Sequence, residues 1–435
     1  MFKIRIENLN KIILLVGSFS LSIEYIFNLA SNSAYIGPSI NWLIFPILIF
    51  IDLNINFHKY LKKKNLRWPL LLSIPLIIFF VSGYDANVPN DMSRFSALKS
   101  GINSLIIFMF YMVNSDSYEK RKAIIYGLTA GSVFGIFFQF LATLGYIPNS
   151  IESAVIKGIG VEVSRVGALG DPNQSVIYIL SLSAFIIYNN YNAIFKYKSL
   201  VSLICIIITG LFVVSTGSRA GMAALLLTIF LTLFLSWKDL SSKSKKSFLF
   251  LVSTSMVILF FIVSEVLINY IKMAILSRWI YAVEYEDDSL NHRLSSYNWM
   301  FTRIFTNPNI SGIGYLNYYR EFGHLLPGGE NNLRYPHASF VDCFIIGGLP
   351  LFVFYSYIWF KSSFNLVKTF YLKNIHPGIK GEIGFFLVLL PGFFLITSSL
   401  SIIWLKLTWA LLGIAQGTNI NNDEFKNSST NKGCA

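Results

Sequence analysis

Arginine beside one helix start and histidine beside another carry the most chemical content in this 435-residue sequence. Thr216-Gly217-Ser218-Arg219-Ala220-Gly221 reads as a helix entry, with Ser218 as N-cap and Arg219 in the first turn. A helix start already offers free N–H groups and partial positive charge, so a further cation there is unfavourable unless an anion lies between them. Arg219 therefore reads as an anion ligand, weighed against an arginine that snorkels to lipid headgroups. Ala220, Gly221, Ala223 and Ala224 give the same helix a small-residue face for close packing. In Tyr335-Pro336-His337-Ala338-Ser339-Phe340, Pro336 suits a helix start and places His337 in the first turn. The positive helix end favours a neutral imidazole, which can take a proton from a hydroxyl. For this motif alone, an interfacial histidine that only bonds its own loop is the more frequent case.

Weaker patterns surround these two. Residues 290–305, LNHRLSSYNWMFTRIF, set Leu294, Tyr297 and Phe301 at helical spacing and predict an interfacial helix. It carries His292 and Arg293, and Arg293 can face headgroups or a ligand equally well. Arg165 opens Arg165-Val166-Gly167-Ala168-Leu169-Gly170-Asp171-Pro172-Asn173, whose last three residues signal a turn and helix entry. It can join an anion site or simply pair with Glu162 or Asp171. Glu284, Glu286, Asp287 and Asp288 are adjacent acids of the kind that more often form a solvated face than a cation site. No metal motif of established spacing is present. His58 and His376 sit in basic loops, and His292 and His324 lack a helix start. Cys205, Cys343 and Cys434 suggest no disulfide.

The elements that must position these residues are membrane helices. The chain is 54% hydrophobic and 13% charged, about half the charge of an ordinary soluble chain, which excludes a soluble enzyme, a disordered chain and a coiled coil. Apolar runs fall at 12–30, 35–57, 69–84, 97–113, 123–146, 175–191, 199–216, 219–236, 247–271, 337–360, 383–398 and 400–416, predicting about twelve spans. The first is longer than a signal peptide's core and is interrupted by Glu24, so it reads as a retained helix. Glu24 and Glu265 are unusual at membrane depth and suit pairing with arginine. The fold expected is an all-α polytopic membrane protein, one transmembrane domain over 1–416 and a disordered cytoplasmic tail over 417–435. One large outer loop, 272–336, separates the ninth and tenth spans.

Basic loops stay cytoplasmic, and with the N-terminus inside, 23 of the 35 Lys and Arg residues fall on the inner side. The net charge of +13 therefore sets topology and does not call for nucleic acid. The inner set is 20 Lys and 3 Arg, whereas the outer set is 8 Arg and 4 Lys. Lysine serves as a generic orienting charge, while the arginine fork grips phosphate or carboxylate through paired hydrogen bonds. The outer arginines are Arg94, Arg165, Arg219, Arg278, Arg293, Arg303, Arg320 and Arg334. A phosphate-bearing or acidic ligand on that side explains the reversal, and so does a folded loop with ordinary surface arginine.

In order and side, TGSRAG, the loop arginine, NPNISGIGYLNYY and PHASFVDCFIIGGLP resemble the O-antigen ligase and O-antigen polymerase superfamily. RVGALGDPNQS before the sixth span is similar to that family's Arg-Gly stretch followed by Pro-Asn. Motifs carry the resemblance over roughly 165–360, and topology carries it over the whole chain. Ala338 stands where the family often has Asn after Pro-His.

The resemblance implies a GT-C-like membrane glycosyltransferase needing no metal, cofactor or nucleotide sugar, with its site in the periplasm of the bacterial inner membrane. Its donor would be undecaprenyl-diphosphate-linked oligosaccharide. Arg219 and Arg293 would hold the diphosphate and His337 would deprotonate the acceptor, with Arg165 and Arg334 as further anion ligands. A polymerase of lipid-linked repeat units leads, a ligase onto lipid A-core comes second, and a lipid-linked oligosaccharide flippase third. A transporter predicts matched halves and charges near the midplane, which this sequence does not show. A chain-length regulator or a flippase would be a fitting partner.

Overall fold

The computed structural model describes residues 2–23, 41–62, 94–144, 146, 150–156, 161–167, 172–192, 194, 198–216, 218–237, 288–306, 312, 338–372, 375–400 and 405–418. Eleven helices are described: α1 Phe2–Ser22, α2 Asn41–Tyr60, α3 Arg94–Asn114, α4 Tyr118–Thr143, α5 Pro172–Asn192, α6 Lys198–Thr216, α7 Arg219–Trp237, α8 Asp288–Thr306, α9 Ser339–Phe370, α10 Pro377–Thr397 and α11 Lys406–Gly417. Each of the apolar runs read from the sequence overlaps one of these, except 69–84 and 247–271, which lie outside the described residues. Among the described residues, four helical stretches are long and apolar enough to cross a membrane: Tyr118–Leu141, Arg219–Ser236, Ser339–Phe370 and Pro377–Thr397. Gly101–Asn114 and Leu200–Val213 are shorter apolar pieces. The chain is a multi-pass helical membrane protein.

The described residues also hold one non-helical element. Strands β1 Ser150–Ile156 and β2 Val161–Gly167 pair as an antiparallel hairpin. Their β-branched content (Ile151, Val155, Ile156, Val161, Val163, Val166) suits a pleated surface. β2 packs against α4, α5 and α6.

Helices pack where small residues remove side-chain bulk. A Cβ on Gly127 of α4 would lie 2.4 Å from the Leu15 carbonyl oxygen of α1, and one on Gly413 of α11 equally close to the Phe108 carbonyl oxygen of α3. With lipid outside, such close approach and interhelical hydrogen bonds supply the association that water-driven burial cannot. Ser132 of α4 and Ser181 of α5 share such a bond inside the bundle.

The bundle has two chemically distinct ends. At one end, Lys11, Lys59 and Lys120 cluster with acids: Lys59 and Lys120 both bond Asp116, at 3.1 and 3.0 Å, and Lys11 bonds Glu119 at 3.1 Å. Asp52 accepts from Asn56 and Asn114, each at 2.7 Å, and from Tyr60. Arg121, counted among the orienting charges of an inner loop, is instead wholly buried and pairs with buried Glu382 of α10 at 2.9 Å. Glu24 and Glu265, read as arginine partners, lie outside the described residues. At the opposite end stand the starts of α3, α5, α7, α9 and α11, the hairpin and α8, with Arg94, Arg165, Arg219, Arg293 and Arg303.

Helix α9 is broken. Gly348 has φ 66° and ψ −162°, and Pro350 follows. Pro350 has no N–H for the carbonyl of Ile346, and its ring would clash with that oxygen in a continuous helix. Gly348 turns the chain out of the clash, and Gly312 lies against the break with its own φ at 70°. A Cβ there would fall 2.3 Å from the Ile346 carbonyl oxygen and 2.6 Å from the Gly348 nitrogen. The only residue type that fits such an approach at positive φ is glycine.

Candidate functional site

The first half of the site is the entry of α7. Ser218 is fully buried, and its hydroxyl accepts from the Gly221 N–H at 3.0 Å, making it the N-cap expected from the sequence. The Ser218 N–H in turn donates to the Thr216 hydroxyl at 3.3 Å, and that hydroxyl donates to the Val213 carbonyl at 2.7 Å. The turn between α6 and α7 is thereby held through side chains, and Arg219 leaves it half-buried as the first helical residue. The small face packs as expected: a Cβ on Gly221 would strike Val176 of α5 at 2.6 Å.

Helix α10 links this entry to the second half. A Cβ on its Gly392 would meet the Thr228 hydroxyl of α7 at 2.7 Å and the Ala224 carbonyl at 3.4 Å. Half a turn on, the Phe394 ring lies 5.3 Å from that of Phe340 in the first turn of α9, tilted by 60°. The middle of α7 and the start of α9 therefore pack against the same third of one helix.

The second half is the junction of α8, α9 and the turn after α10. Helix α8 forms as expected, with Met300 and Ser296 buried and Leu294 and Phe301 exposed. Tyr297 is half-buried and donates to the Ser398 carbonyl at 2.7 Å. Trp299 meets the Phe344 ring edge-on at 6.1 Å. From α9, Ser339 donates to the Leu400 carbonyl at 2.7 Å. Burial pushes the Tyr297 phenol up to about 12, with the Asp342 charge adding to the rise while the Ser398 bond and Arg293 oppose it. Arg293 and Asp342 thus both act on one phenol oxygen, from α8 and from α9.

The start of α9 corrects one expectation. Ala338 is the extended N-cap and Ser339 the first helical residue, so the first turn runs into Asp342 and does not contain His337. Pro336 fixes its own φ but leaves two more residues before the helix turns. Asp342 is 2% exposed. An acid there complements the helix dipole, and that signal was present in the sequence as the one charge within SFVDCFIIGG. His337 and Arg334 lie outside the described residues.

Arg165 lies in β2, registered opposite Glu152 of β1, and Asp171 lies outside the described residues. β2 packs against α4, α5 and α6, and α6 leads into the turn before Arg219. Glu284, Glu286 and Asp287 lie outside the described residues, and Asp288 opens α8. Arg219 stands at a helix start close to small-residue packing, and a buried acid, Asp342, stands in the first turn of α9. The arginine suits holding an anion at the edge of a membrane.

A multi-pass helical membrane protein is the class these features define. Residues 204–356 match the family model described as O-antigen ligase. The match covers well under half of the chain and includes Arg219, Arg293, Arg334, His337 and Asp342, but not Arg165. The chain thus carries an O-antigen ligase-family region, which supports its place in the O-antigen ligase and polymerase superfamily. No curated protein matches the chain.

Proposed function

We propose that the protein is a membrane glycosyltransferase that joins undecaprenyl-diphosphate-linked repeat units of a surface polysaccharide. The observation that carries this reading is Arg219 at the capped start of α7, inside the region that matches the ligase family. In this reading Arg219 and Arg293 hold the donor diphosphate, and Arg165 and Arg334 flank it. His337 takes the proton of the acceptor hydroxyl as its oxygen attacks the anomeric carbon. The bond from that carbon to the diphosphate breaks, the carbon is inverted, and the electron pair leaves with undecaprenyl diphosphate. The arginines stabilise charge as it develops on the leaving group, an effect worth about 10²–10³ in rate for a single donor. This chemistry assigns no metal or other cofactor to the reaction.

The account also takes the GT-C-like arrangement of about twelve spans, both termini cytoplasmic and the arginine end on the periplasmic side of the inner membrane. A ligase acting on lipid A-core shares the donor half of this chemistry and differs in acceptor. The third reading, a flippase for the same lipid-linked glycan, is disfavoured by the arginines standing at helix starts and not at mid-bundle. The glycan profile of a deletion strain tests the proposal. A polymerase predicts single repeats still attached to the core. Long lipid-linked polymer with no attached glycan means a ligase, and repeats trapped on the cytoplasmic side mean a flippase.

A further inference from the structure

Residues 114–121, NSDSYEKR, close α3, turn the chain and open α4 at the lysine end, and their side chains are tied to five other helices. Glu119 pairs with Lys11 of α1 at 3.1 Å, and Asp116 with Lys59 of α2 at 3.1 Å. Asn114 donates to buried Asp52 of α2 at 2.7 Å while its oxygen accepts from Lys120 at 3.2 Å. An ammonium only donates and a carboxylate only accepts, so this amide is held one way round. Tyr118 donates to Asn192 of α5 at 3.1 Å, and the Asn192 amide donates to the Gly378 carbonyl of α10 at 3.4 Å. Ser115 donates to the Ile414 carbonyl of α11 at 3.3 Å. Arg121 donates to the Ser115 carbonyl at 3.1 Å and pairs with Glu382 of α10, both side chains wholly buried. Parting the helices here is opposed in two independent ways. Separating Arg121 from Glu382 leaves two charges in surroundings that answer neither. Helices α3 and α11 meet backbone to backbone, because Gly413 and Gly417 leave no room for a Cβ against the Phe108 and Met112 carbonyl oxygens. At the arginine end, by contrast, the described residues of α8 and α9 reach the turn after α10 through single hydroxyls, Tyr297 on Ser398 and Ser339 on Leu400.

We infer that residues 114–121 are a clamp that keeps the lysine end closed throughout the working cycle, so that substrate and product pass only at the arginine end or sideways through lipid. The bonds of the clamp share members, so releasing one leaves its neighbours still holding the same helices. A transporter that alternates access must rock one bundle against another until each end opens in turn. The clamp removes the half of that cycle in which the lysine end parts. The inference goes beyond the transferase reading and uses none of the residues assigned to its chemistry. It concerns motion at the other end of the bundle and holds for either acceptor.

The test is pulsed electron-resonance distance measurement on the full-length protein in lipid nanodiscs, with and without undecaprenyl diphosphate. One nitroxide pair, at Lys62 and Ile194, spans the lysine end, and a second, at Tyr146 and Thr306, reports the opposite end; all four positions are exposed. The Lys62–Ile194 pair should keep one narrow distance in both conditions. Asp116→Asn, which loosens the clamp at a half-exposed carboxylate, should broaden that distance and leave the Tyr146–Thr306 pair unchanged. A second, wider Lys62–Ile194 distance in the unsubstituted clamp overturns the inference, and so does a distance that Asp116→Asn does not broaden. Transfer supplies an independent arm. Lys59→Cys with Asp116→Cys, joined by a short bismaleimide, should transfer glycan at the rate of the same protein before joining. Lys11→Cys with Glu119→Cys, at the more exposed pair, serves where the first does not fold. A tether that abolishes transfer overturns the inference. A wild-type protein without transfer activity overturns the functional reading instead, and the distances then still decide whether the lysine end opens.

Discussion

A guanidinium at a capped helix start is the residue-scale feature on which the chemistry depends. Arg219→Ala should lower glycosyl transfer about 10²–10³-fold at unchanged protein level, with Arg219→Lys recovering only part, because an ammonium cannot make the paired contact. Steady-state kinetics on the purified variants checks this. Single residues also separate legible from illegible features. Ser218 and Arg219 were readable because capping is local: the residue that bonds Gly221 is three positions away in sequence. Asp342 was not, although it is the one charge in SFVDCFIIGG, because its burial depends on packing with residues distant in sequence. Arg121 misled for the same reason. In sequence it is one of three basic residues near a loop, and only its partner 261 positions on shows that it is buried.

Helices and their junctions carry the next two expectations. The Arg121–Glu382 pair joins α4 to α10 with both side chains at 0% exposure, so removing either partner leaves a buried charge. Arg121→Ala should cost about 3–5 kcal/mol, read as loss of folded protein or a large drop in melting temperature. Arg121→Lys should cost less. At the Gly312 contact with the α9 break, Gly312→Ala puts a Cβ 2.3 Å from the Ile346 carbonyl oxygen at a φ that L residues avoid. It should displace the loop after α8, lowering transfer while the helical content by circular dichroism stays as in the wild type. The sequence reads as one span over 337–360, without the break at Gly348 and Pro350, and nothing local marks Gly312 as the residue that fills it. Ten of the twelve apolar runs meet a described helix because membrane spans are written in composition over about 20 residues, whereas the short β-hairpin at 150–167 carries no such signal.

Across the whole molecule the two ends differ in charge chemistry, and this has a pH signature. At the lysine end, burial alone would raise the Asp116 carboxyl, but Lys120 and Lys59 outweigh it and hold the group below its ordinary value. A carboxylate lowered in the folded state stabilises the fold above its unfolded value, and the contribution disappears as pH falls through the folded one. Asp116→Asn should therefore reduce stability at neutral pH and flatten the acid limb of the melting curve between about pH 5 and pH 3. The opposite end is where arginine replaces lysine, a segregation legible from the sequence because the positive-inside rule acts on loops. Single cysteines placed at Lys62 and at Thr306 should react with an impermeant thiol reagent from opposite sides of intact spheroplasts, with the Thr306 position open to the outside.

The most direct measurement is glycan transfer by the purified protein in lipid vesicles, supplied with undecaprenyl-diphosphate-linked repeat units and no metal or nucleotide sugar. The wild type should build multi-repeat glycan on the lipid carrier and release undecaprenyl diphosphate, while Arg219→Ala, Arg293→Ala and His337→Ala do both at least about a hundredfold more slowly. Equal polymer from all four proteins, or release of no undecaprenyl diphosphate by the wild type, would contradict the account.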